Sequence, residues 1–221
     1  MRLAALALVT AVLVGCGGKS GPSTTTVAAT TTTAAPAVAG CKTVAQPTPG
    51  PRRAPKPTST LDPAKTYDVR FQTNCGTFTI RLAVQVAPKT AASFASLVRH
   101  GFFDRTVFHR IVPGFVIQGG DPTASGVGGP GYGIVEAPPA STRYTLGVAA
   151  MAKASAAPRG ASGSQFFVVT AADAQLPPDY ALLGRVVAGL AVVKRIGRLG
   201  DATTEQPTAV VEIEKATLVV H

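Results

Sequence analysis

Alternating apolar and polar positions dominate the chain from about residue 65 onward. Phe78, Ile80 and Leu82 are separated by polar or charged residues, and the polar break before them contains Gly76. Because side chains two residues apart lie on the same face of a strand, this pattern predicts two strands joined by a turn. The folded part of the chain is therefore expected to begin near Lys65.

A helical period follows these two strands. Pro88 suits the first turn of a helix, Phe94, Leu97 and Val98 share one face, and Gly101 suits the position after the last turn. The spacing therefore predicts an amphipathic helix whose apolar face packs against the strands.

Short apolar segments bounded by glycine, proline or serine fill most of the remaining chain. They predict further strands, and a second helix precedes the last of them. Many short strands with two helices far apart in the sequence indicate a closed β-barrel capped by helices. The predicted strands are residues 106–112, 114–120, 146–152, 164–170, 181–187 and 208–220, and the second helix is residues 190–199.

The first third of the chain differs in composition. Residues 1–15 are basic and then apolar, and this apolar run is shorter than the roughly 20 residues of a spanning helix, which is typical of a secretory signal. Its end, the sequence LVGC, resembles the lipobox of bacterial lipoproteins, in which the cysteine, here Cys16, carries lipid. An ordinary signal peptide cleaved elsewhere is the alternative. The first interpretation predicts an extracytoplasmic protein, lipid-anchored to the outer face of a bacterial cell membrane.

Residues 16–64 are rich in Thr, Ala and Pro. Such a composition buries too little apolar surface to offset its ordering entropy, so we expect a flexible linker, disordered or extended, before a folded domain of residues 65–221. If Cys16 is acylated, Cys41 and Cys75 remain, and an oxidising compartment favours a disulfide between them. Two buried free thiols are the alternative.

Charge excludes one class of partner. The net charge of +10 is spread along the chain without a compact run of Lys and Arg. Because nucleic-acid binding normally needs a clustered basic stripe, we expect no nucleic-acid partner.

The 3 histidines show no metal-ligand spacing, so we expect no metal either.

The stretch FHRIVPGFVIQGGDP, residues 108–122, contains the first candidate chemistry. Arg110 lies among apolar residues, where a guanidinium is costly unless it faces an open groove or an acidic partner. Two interpretations follow from these residues alone. Arg110 serves a functional site, or it forms a structural ion pair with Asp104 or Asp121.

Two stretches share the features of a groove. Gln118 lies two positions after Val116 and therefore on the same strand face, and the glycines after it fit a close approach of another segment. Residues 151–169 again combine small residues, a Gly/Ser loop, a glutamine and two aromatic rings. Together they predict one hydrophobic groove on the barrel wall.

The segments FHRIVPGFVIQGGD, GSQFFVVT and LLGRVVAGLAVV together resemble the cyclophilin type of peptidyl-prolyl cis-trans isomerase, over about residues 68–221. The resemblance implies a mostly β fold, a closed eight-stranded antiparallel β-barrel capped by two α-helices. It also implies a monomer that acts on proline-containing polypeptides and needs no cofactor.

The resemblance further implies which residues form the site. Arg110, Phe115 and Gln118 match the family's catalytic positions. The matches to its substrate-binding positions are Val116, Ala152, Ala154, Gln165, Phe167, Leu176 and Tyr180. The sequence departs from the family at Lys153, where Asn is common, at Gln175, where many members have Trp, and at Tyr180, where many have His.

The mechanism that this resemblance implies follows from the peptide bond. Resonance in the C–N bond creates a rotation barrier of roughly 18 to 20 kcal/mol, and twisting the bond leaves a lone pair on the proline nitrogen. A guanidinium donor beside that nitrogen stabilises the twisted state more than the planar one. We expect isomerase activity on secreted or envelope proteins. One alternative is a non-catalytic peptide-binding or chaperone module, its groove altered through Lys153 and through an insertion, relative to the family, within residues 153–165. Another is adhesion to envelope polymers through the basic linker.

Overall fold

The structure, a computed structural model, describes residues 40–221. The predicted signal segment 1–15, Cys16 and the rest of the predicted linker up to residue 39 lie outside the described residues. Within residues 40–221, neither helix combines the length and hydrophobicity that crossing a bilayer requires. The elements are β1 Tyr67–Thr73, β2 Gly76–Leu82, α1 Pro88–Arg99, β3 Thr106–Val112, β4 Val116–Asp121, β5 Ile134–Val135, β6 Val148–Met151, β7 Ala161–Ser162, β8 Phe166–Val169, β9 Leu182–Ala188, α2 Leu190–Ile196 and β10 Glu212–Val220.

Eight strands close into a barrel in the order β1-β10-β3-β4-β8-β6-β9-β2. Every neighbouring pair is antiparallel, which confirms the predicted architecture. Strands β5 and β7 pair with each other outside the barrel. The sequence pattern did not predict them, because two residues are too few to show an alternation.

Aromatic rings from several strands fill the barrel interior. Phe71 on β1 stacks on Phe78 of β2 and Phe166 of β8, with ring centroids 5.0 and 5.3 Å apart. Phe94 of α1 meets Phe166 edge-on at 5.3 Å. Because Phe94 and Leu97 are fully buried, the apolar face predicted for α1 is the face that packs on the strands.

A second apolar cluster lies apart from this core. Successive side chains of a strand point to opposite faces, so Ile117 of β4 joins the main core whereas Val116 joins the second cluster. Phe166 and Phe167 of β8 divide in the same way. Apolar side chains therefore pack on both faces of β4 and β8 in the region that contains the predicted site residues.

Residues 41–61, called the strap below, follow the barrel surface without regular secondary structure. A disulfide joins Cys41 to Cys75 with an S–S distance of 2.08 Å, which confirms the predicted pairing. At the other end, Leu61 is 9% exposed and packs into the main core. The strap lies within the predicted linker of residues 16–64, and it is attached to the barrel at both of its ends.

Hydrogen bonds to barrel carbonyls explain why the strap is ordered. The N–H of Gly50 donates to the carbonyl of Pro122 at 3.0 Å, and that of Ala54 donates to Pro130 at 3.1 Å. The Arg52 guanidinium also donates to two carbonyls of the loop before β3, at 2.7 Å each. Prolines prevent the strap from joining a sheet, but several of its donors bind carbonyls of the barrel and its loops.

Candidate active site

Three predicted site residues form a row across adjacent strands. Arg110 of β3 lies opposite Gln118 of β4, and Gln118 lies opposite Phe167 of β8. Side chains directly opposite each other in an antiparallel pair lie on the same face. Strand register therefore places a guanidinium, an amide and an aromatic ring side by side on the barrel wall.

Apolar side chains continue this row. Phe115, Leu176 and Tyr180 are half-buried and pack on the second apolar cluster, which contains Val116 and Phe167. The Tyr180 and Phe167 rings meet edge-on with centroids 5.4 Å apart. We call these five residues the ring cluster. Val116 and Phe167 are only 2% and 4% exposed, so they form its floor, while the other three supply the accessible surface.

Tyr144 supports the ring cluster from below and was missed by the sequence analysis. Its hydroxyl donates to the Tyr180 carbonyl at 2.5 Å and accepts from the Tyr180 N–H at 3.1 Å. Burial raises the pKa of Tyr144 to about 12, so the hydroxyl stays protonated and both bonds persist at ordinary pH. An isolated tyrosine in a loop carries no periodicity that would have identified it.

A chain of hydrogen bonds leads from Arg110 along the wall. The Arg110 Nη1 donates to Gln118 Oε1 at 3.2 Å, and Gln118 Nε2 donates to Gln165 Oε1 at 3.1 Å. Gln165 Nε2 then donates to the carbonyls of Gly126 and Gly128 at 2.9 and 3.0 Å. The structure thus brings Arg110, Gln118 and Gln165 together, as the resemblance implies.

Asp121 anchors the glycine loop at the end of this chain. Its carboxylate accepts from the N–H groups of Thr123, Gly126 and Gly128. Burial alone would raise the pKa of Asp121, but these hydrogen bonds hold it below its ordinary value. Asp121 therefore shapes the loop and does not pair with Arg110.

The acidic partner of Arg110 is Glu205, from the loop between α2 and β10. Arg110 Nε donates to Glu205 Oε2 at 2.6 Å, and the two side chains are 34% and 41% exposed. The predicted partners, Asp104 and Asp121, are both wrong. Asp104 Oδ1 accepts from the Ala216 N–H, and Asp121 accepts from the N–H groups of the glycine loop. Glu205 is 95 positions from Arg110, so no local pattern connected the two residues.

A cavity of about 860 Å³ adjoins the row. It is lined by Gln118, Gln165, Ala152 and Ala154, and otherwise largely by the glycine-rich loops of residues 126–135 and 161–164. Gln118 therefore borders both the ring cluster and this cavity. The predicted substrate-binding residues divide between these two regions. Those that line the cavity are Ala152, Ala154 and Gln165, and those of the ring cluster are Val116, Phe167, Leu176 and Tyr180.

Gly120, next to the last residue of β4, lies where only a glycine fits without strain. Its φ is +85°, and a Cβ at this position would lie 2.5 Å from the Ser164 carbonyl oxygen. A side chain would therefore push apart β4 and the segment before β8, where Gln118 and Gln165 meet. The close approach of the backbone predicted for these glycines is confirmed.

Lys153 does not contribute a free charge to the groove. Its side chain is only 5% exposed and its Nζ lies 2.8 Å from Asp179 Oδ2. The same ammonium donates to the Ala157 carbonyl at 3.1 Å and lies 5.7 Å from the centre of the Tyr180 ring. Lys153 thus ties the loop after β6 to the segment that carries Tyr180. The Lys153 charge therefore does not by itself indicate a peptide-binding module with an altered groove.

His109 lies directly before Arg110, and both of its ring nitrogens are buried without a hydrogen-bond partner in the described part of the chain. Burial lowers the pKa of His109, the Asp121 charge opposes this shift and the Arg110 charge adds to it. Within residues 40–221, no group of three His, Cys, Asp or Glu side chains is arranged to hold a metal ion. A neutral His109 is therefore a packed wall residue beside Arg110.

We expect the free energy of unfolding to decrease as the pH falls below about 6.5, the pKa of histidine in an unfolded chain. Below this pH the histidine of the unfolded chain is protonated, whereas His109 of the folded protein stays neutral until the pH reaches its own, lower pKa. The unfolded state therefore binds more protons, and lowering the pH favours unfolding. Urea unfolding at about pH 7.5, 6.5 and 5.5 measures this slope. His109→Gln should flatten it, whereas exposed His100→Gln should not. Equal slopes for wild type and His109→Gln contradict the prediction.

Comparisons with known proteins agree with this geometry. The family described as "Cyclophilin type peptidyl-prolyl cis-trans isomerase/CLD" matches residues 68–218. The peptidyl-prolyl cis-trans isomerase-like 1 of Neurospora crassa is 40% identical over 156 residues, which cover 69% of this chain and 94% of the relative. The isomerase ppi1 of Schizosaccharomyces pombe is 38% identical over 151 residues, covering 67% and 97%.

A solved structure shows the same fold. The crystal structure of a Cryptosporidium parvum cyclophilin-type isomerase, determined in the presence of the dipeptide Ala-Pro, is 31% identical and has a TM-score of 0.62. The match covers 70% of this chain and 98% of the Cryptosporidium chain. The strap, residues 41–61, precedes the residues that the family matches.

Fold and site together define a β-barrel protein whose wall combines an arginine, two glutamines and a cluster of rings. The chain belongs to the family of cyclophilin-type peptidyl-prolyl cis-trans isomerases. Its activity is the acceleration of cis-trans rotation about X-Pro bonds, which serves protein folding.

Proposed function

We propose that the row of Arg110, Gln118 and the ring cluster is the active site for rotation of the X-Pro bond. The observation that carries this assignment is the strand register, which aligns Arg110, Gln118 and Phe167 on one face. The proline ring then packs against the accessible rings, and its nitrogen lies toward the guanidinium. The Ala-Pro dipeptide present with the Cryptosporidium relative supports a proline-containing peptide as the ligand.

Arg110 supplies the part of catalysis that depends on charge. In the planar bond the nitrogen lone pair is delocalised, whereas in the twisted bond it is free to accept a hydrogen bond. A guanidinium N–H that donates to this nitrogen binds the twisted state more tightly than either planar isomer, and only such a difference lowers the barrier. The Nε–H and one N–H of Nη1 already donate to Glu205 and Gln118, so the substrate nitrogen accepts from Nη2 or from the second N–H of Nη1.

The other residues position the peptide. The ring cluster removes water from around the proline ring, which strengthens each electrostatic contact at the reacting bond. Ala152 and Ala154 follow β6 along the cavity and offer backbone groups to an extended peptide. Their neighbour Lys153 fixes this segment through Asp179. A peptide that continues beyond its proline therefore extends from the ring cluster past Gln118 into the cavity.

Rotation kinetics of a short X-Pro peptide test this function. We expect the protein to accelerate cis-to-trans conversion well above the uncatalysed process, which takes tens to hundreds of seconds. A peptide whose proline is replaced by alanine is the matched control, since it lacks the slow bond. Binding of the X-Pro peptide without any change in its rotation rate would instead identify a non-catalytic binding module.

We infer that this isomerase is a lipoprotein on the outer face of a bacterial membrane, where it acts on secreted or envelope proteins. Support comes from the apolar segment that ends at Cys16 and from the Cys41–Cys75 disulfide, which persists in oxidising compartments. On this proposal the segment before Gly40 links the lipid to the barrel.

The mass of the intact natural protein tests the lipid anchor. We expect a chain that starts at Cys16 and is heavier than its amino acids by the attached acyl groups. The Cys16→Ser variant should lack this extra mass, and it should no longer be found in the membrane fraction. An unmodified Cys16 in the natural protein contradicts the proposal, and it leaves the assignment of the active site unaffected.

A further inference from the structure

Glu205 is the acidic group that contacts Arg110. The Glu205 Oε2 accepts from Arg110 Nε at 2.6 Å, which is at the short end for a charge-assisted hydrogen bond. Its side chain is 41% exposed and belongs to the loop between α2 and β10. This residue is not one of those that the resemblance to cyclophilins implied.

The loop is built to present Glu205 at this place. The Glu205 carbonyl accepts from the Ile111 N–H at 2.9 Å, and its own N–H donates to the Asp201 carbonyl at 2.8 Å. The Asp201 carboxylate in turn accepts from the N–H groups of Thr203 and Thr204. Glu205 itself has a φ of +59°, a conformation that few non-glycine residues adopt. Its backbone is therefore held against β3 beside Arg110, independently of the ion pair.

Contact with Glu205 also fixes the orientation from which Arg110 starts the chain of hydrogen bonds along the wall, and since arginine can only donate, the direction of that chain follows. With Nε committed to the carboxylate, Arg110 directs Nη1 at the carbonyl oxygen of the Gln118 amide. Gln118 must then use its NH₂ as donor to the Gln165 carbonyl oxygen, and Gln165 must donate to the glycine loop. An arginine free to leave this geometry would release the first amide and, through it, the second.

We propose that Glu205 is a positioning residue for the isomerisation, which holds the Arg110 guanidinium in the orientation that the twisted X-Pro bond requires. The inference rests on the proposed function of Arg110. A long, flexible side chain samples several rotamers unless it is anchored, and catalysis depends strongly on such orientation. The carboxylate contacts Nε and leaves the outer side of the guanidinium to the substrate.

Isomerase kinetics of Glu205 variants test the proposal. Glu205→Ala should lower kcat by about 5- to 20-fold with KM changed by less than about 2-fold, because the ring cluster still binds proline. Glu205→Gln, which keeps an acceptor oxygen for Nε, should recover most of this loss. Exposed Glu214→Gln on β10 makes the same change of charge elsewhere and should match the wild type.

A double-mutant cycle separates positioning from a general structural effect. In an Arg110→Ala background, Glu205→Ala should have no further effect on kcat, since the residue it positions is gone. The ¹⁵N resonance of Arg110 Nε, distinct in the wild type, should broaden or move to the position of a free guanidinium in Glu205→Ala. An unchanged resonance, or equal fold-changes in both backgrounds, overturns the proposal.

The outcomes for Glu205 and for the active site can be told apart. If Arg110→Ala is slow but Glu205→Ala is as fast as the wild type, only the role of Glu205 is overturned. A faster Glu205→Ala also overturns it, because the carboxylate would then be competing with the substrate for the guanidinium. If Arg110→Ala itself is fully active, the proposed active site is wrong. Should Glu205→Ala unfold, Glu205→Asn takes its place in the same comparisons, because Asn tolerates the positive φ of this position but its side chain is one methylene shorter than the contact with Arg110 Nε requires.

Discussion

Replacing Arg110 with alanine is expected to lower kcat/KM for a short X-Pro peptide by about 10- to 150-fold. A hydrogen bond from a charged donor contributes about 1.5 to 3 kcal/mol, and each 1.36 kcal/mol of lost transition-state stabilisation is tenfold in rate. The residual activity should remain above the uncatalysed rate, because the ring cluster still packs the proline and excludes water. The measurement is the initial rate of cis-to-trans conversion at several peptide concentrations.

Two variants sharpen the Arg110 experiment. Arg110→Lys keeps the positive charge but loses the planar fork that contacts both Glu205 and Gln118, so its rate should lie between wild type and Arg110→Ala. Arg70→Ala removes an exposed arginine from β1, which is not adjacent to β3 or β4, and should leave the rate unchanged. An Arg110→Ala rate within twofold of wild type, with native stability, would refute the charge-based mechanism.

Reduction of the Cys41–Cys75 disulfide is expected to lower the free energy of unfolding by about 3.5 to 4 kcal/mol. In the chain-entropy account, a cross-link lowers the conformational entropy of the unfolded chain, and the size of this effect grows with the logarithm of the number of residues in the loop that it closes. Here the two cysteines are 34 positions apart in the sequence. Urea unfolding with and without a reductant measures the difference.

The strap gives this second experiment a structural readout. Reduction removes the link at Cys41, and the strap is then held by its hydrogen bonds, among them those of Gly50, Arg52 and Ala54, and by the burial of Leu61. We expect faster trypsin cleavage after Arg52 and Arg53 in the reduced protein. The Cys41→Ser, Cys75→Ser double variant should behave like the reduced wild type and should not respond to reductant. Identical unfolding curves with and without reductant contradict the predicted stabilisation.

Regular elements were predictable where the pattern is local. The strand predicted at residues 106–112 is β3 without a shift, and α1 begins at Pro88 as expected. The strand predicted at residues 114–120 starts two positions later, because Gly114 has a φ of +70° and belongs to the preceding turn. Likewise β10 begins only at Glu212, whereas the predicted strand began at residue 208. Alternation identifies strands but not the backbone geometry that ends them.

Composition describes the strap only in part, because it is an average over many residues. A segment rich in Pro and Thr cannot build its own core, and the strap indeed has no regular structure. It is ordered by a few specific contacts with an existing surface, among them the disulfide at Cys41 and the burial of Leu61. Neither contact depends on the composition of the residues between them.

The alternation of apolar and polar positions indicated the barrel, and the resemblance to cyclophilins indicated the residues that form the row and the ring cluster. Tertiary structure decided which groups those residues meet: Glu205 beside Arg110, Tyr144 beneath Tyr180, and Asp179 against Lys153. The physical reason is that strand periodicity is a property of neighbours in the chain, whereas the free energy of a charge or a buried hydroxyl depends on whatever folds against it. Arg110 and Glu205, 95 positions apart, become partners only when the barrel closes.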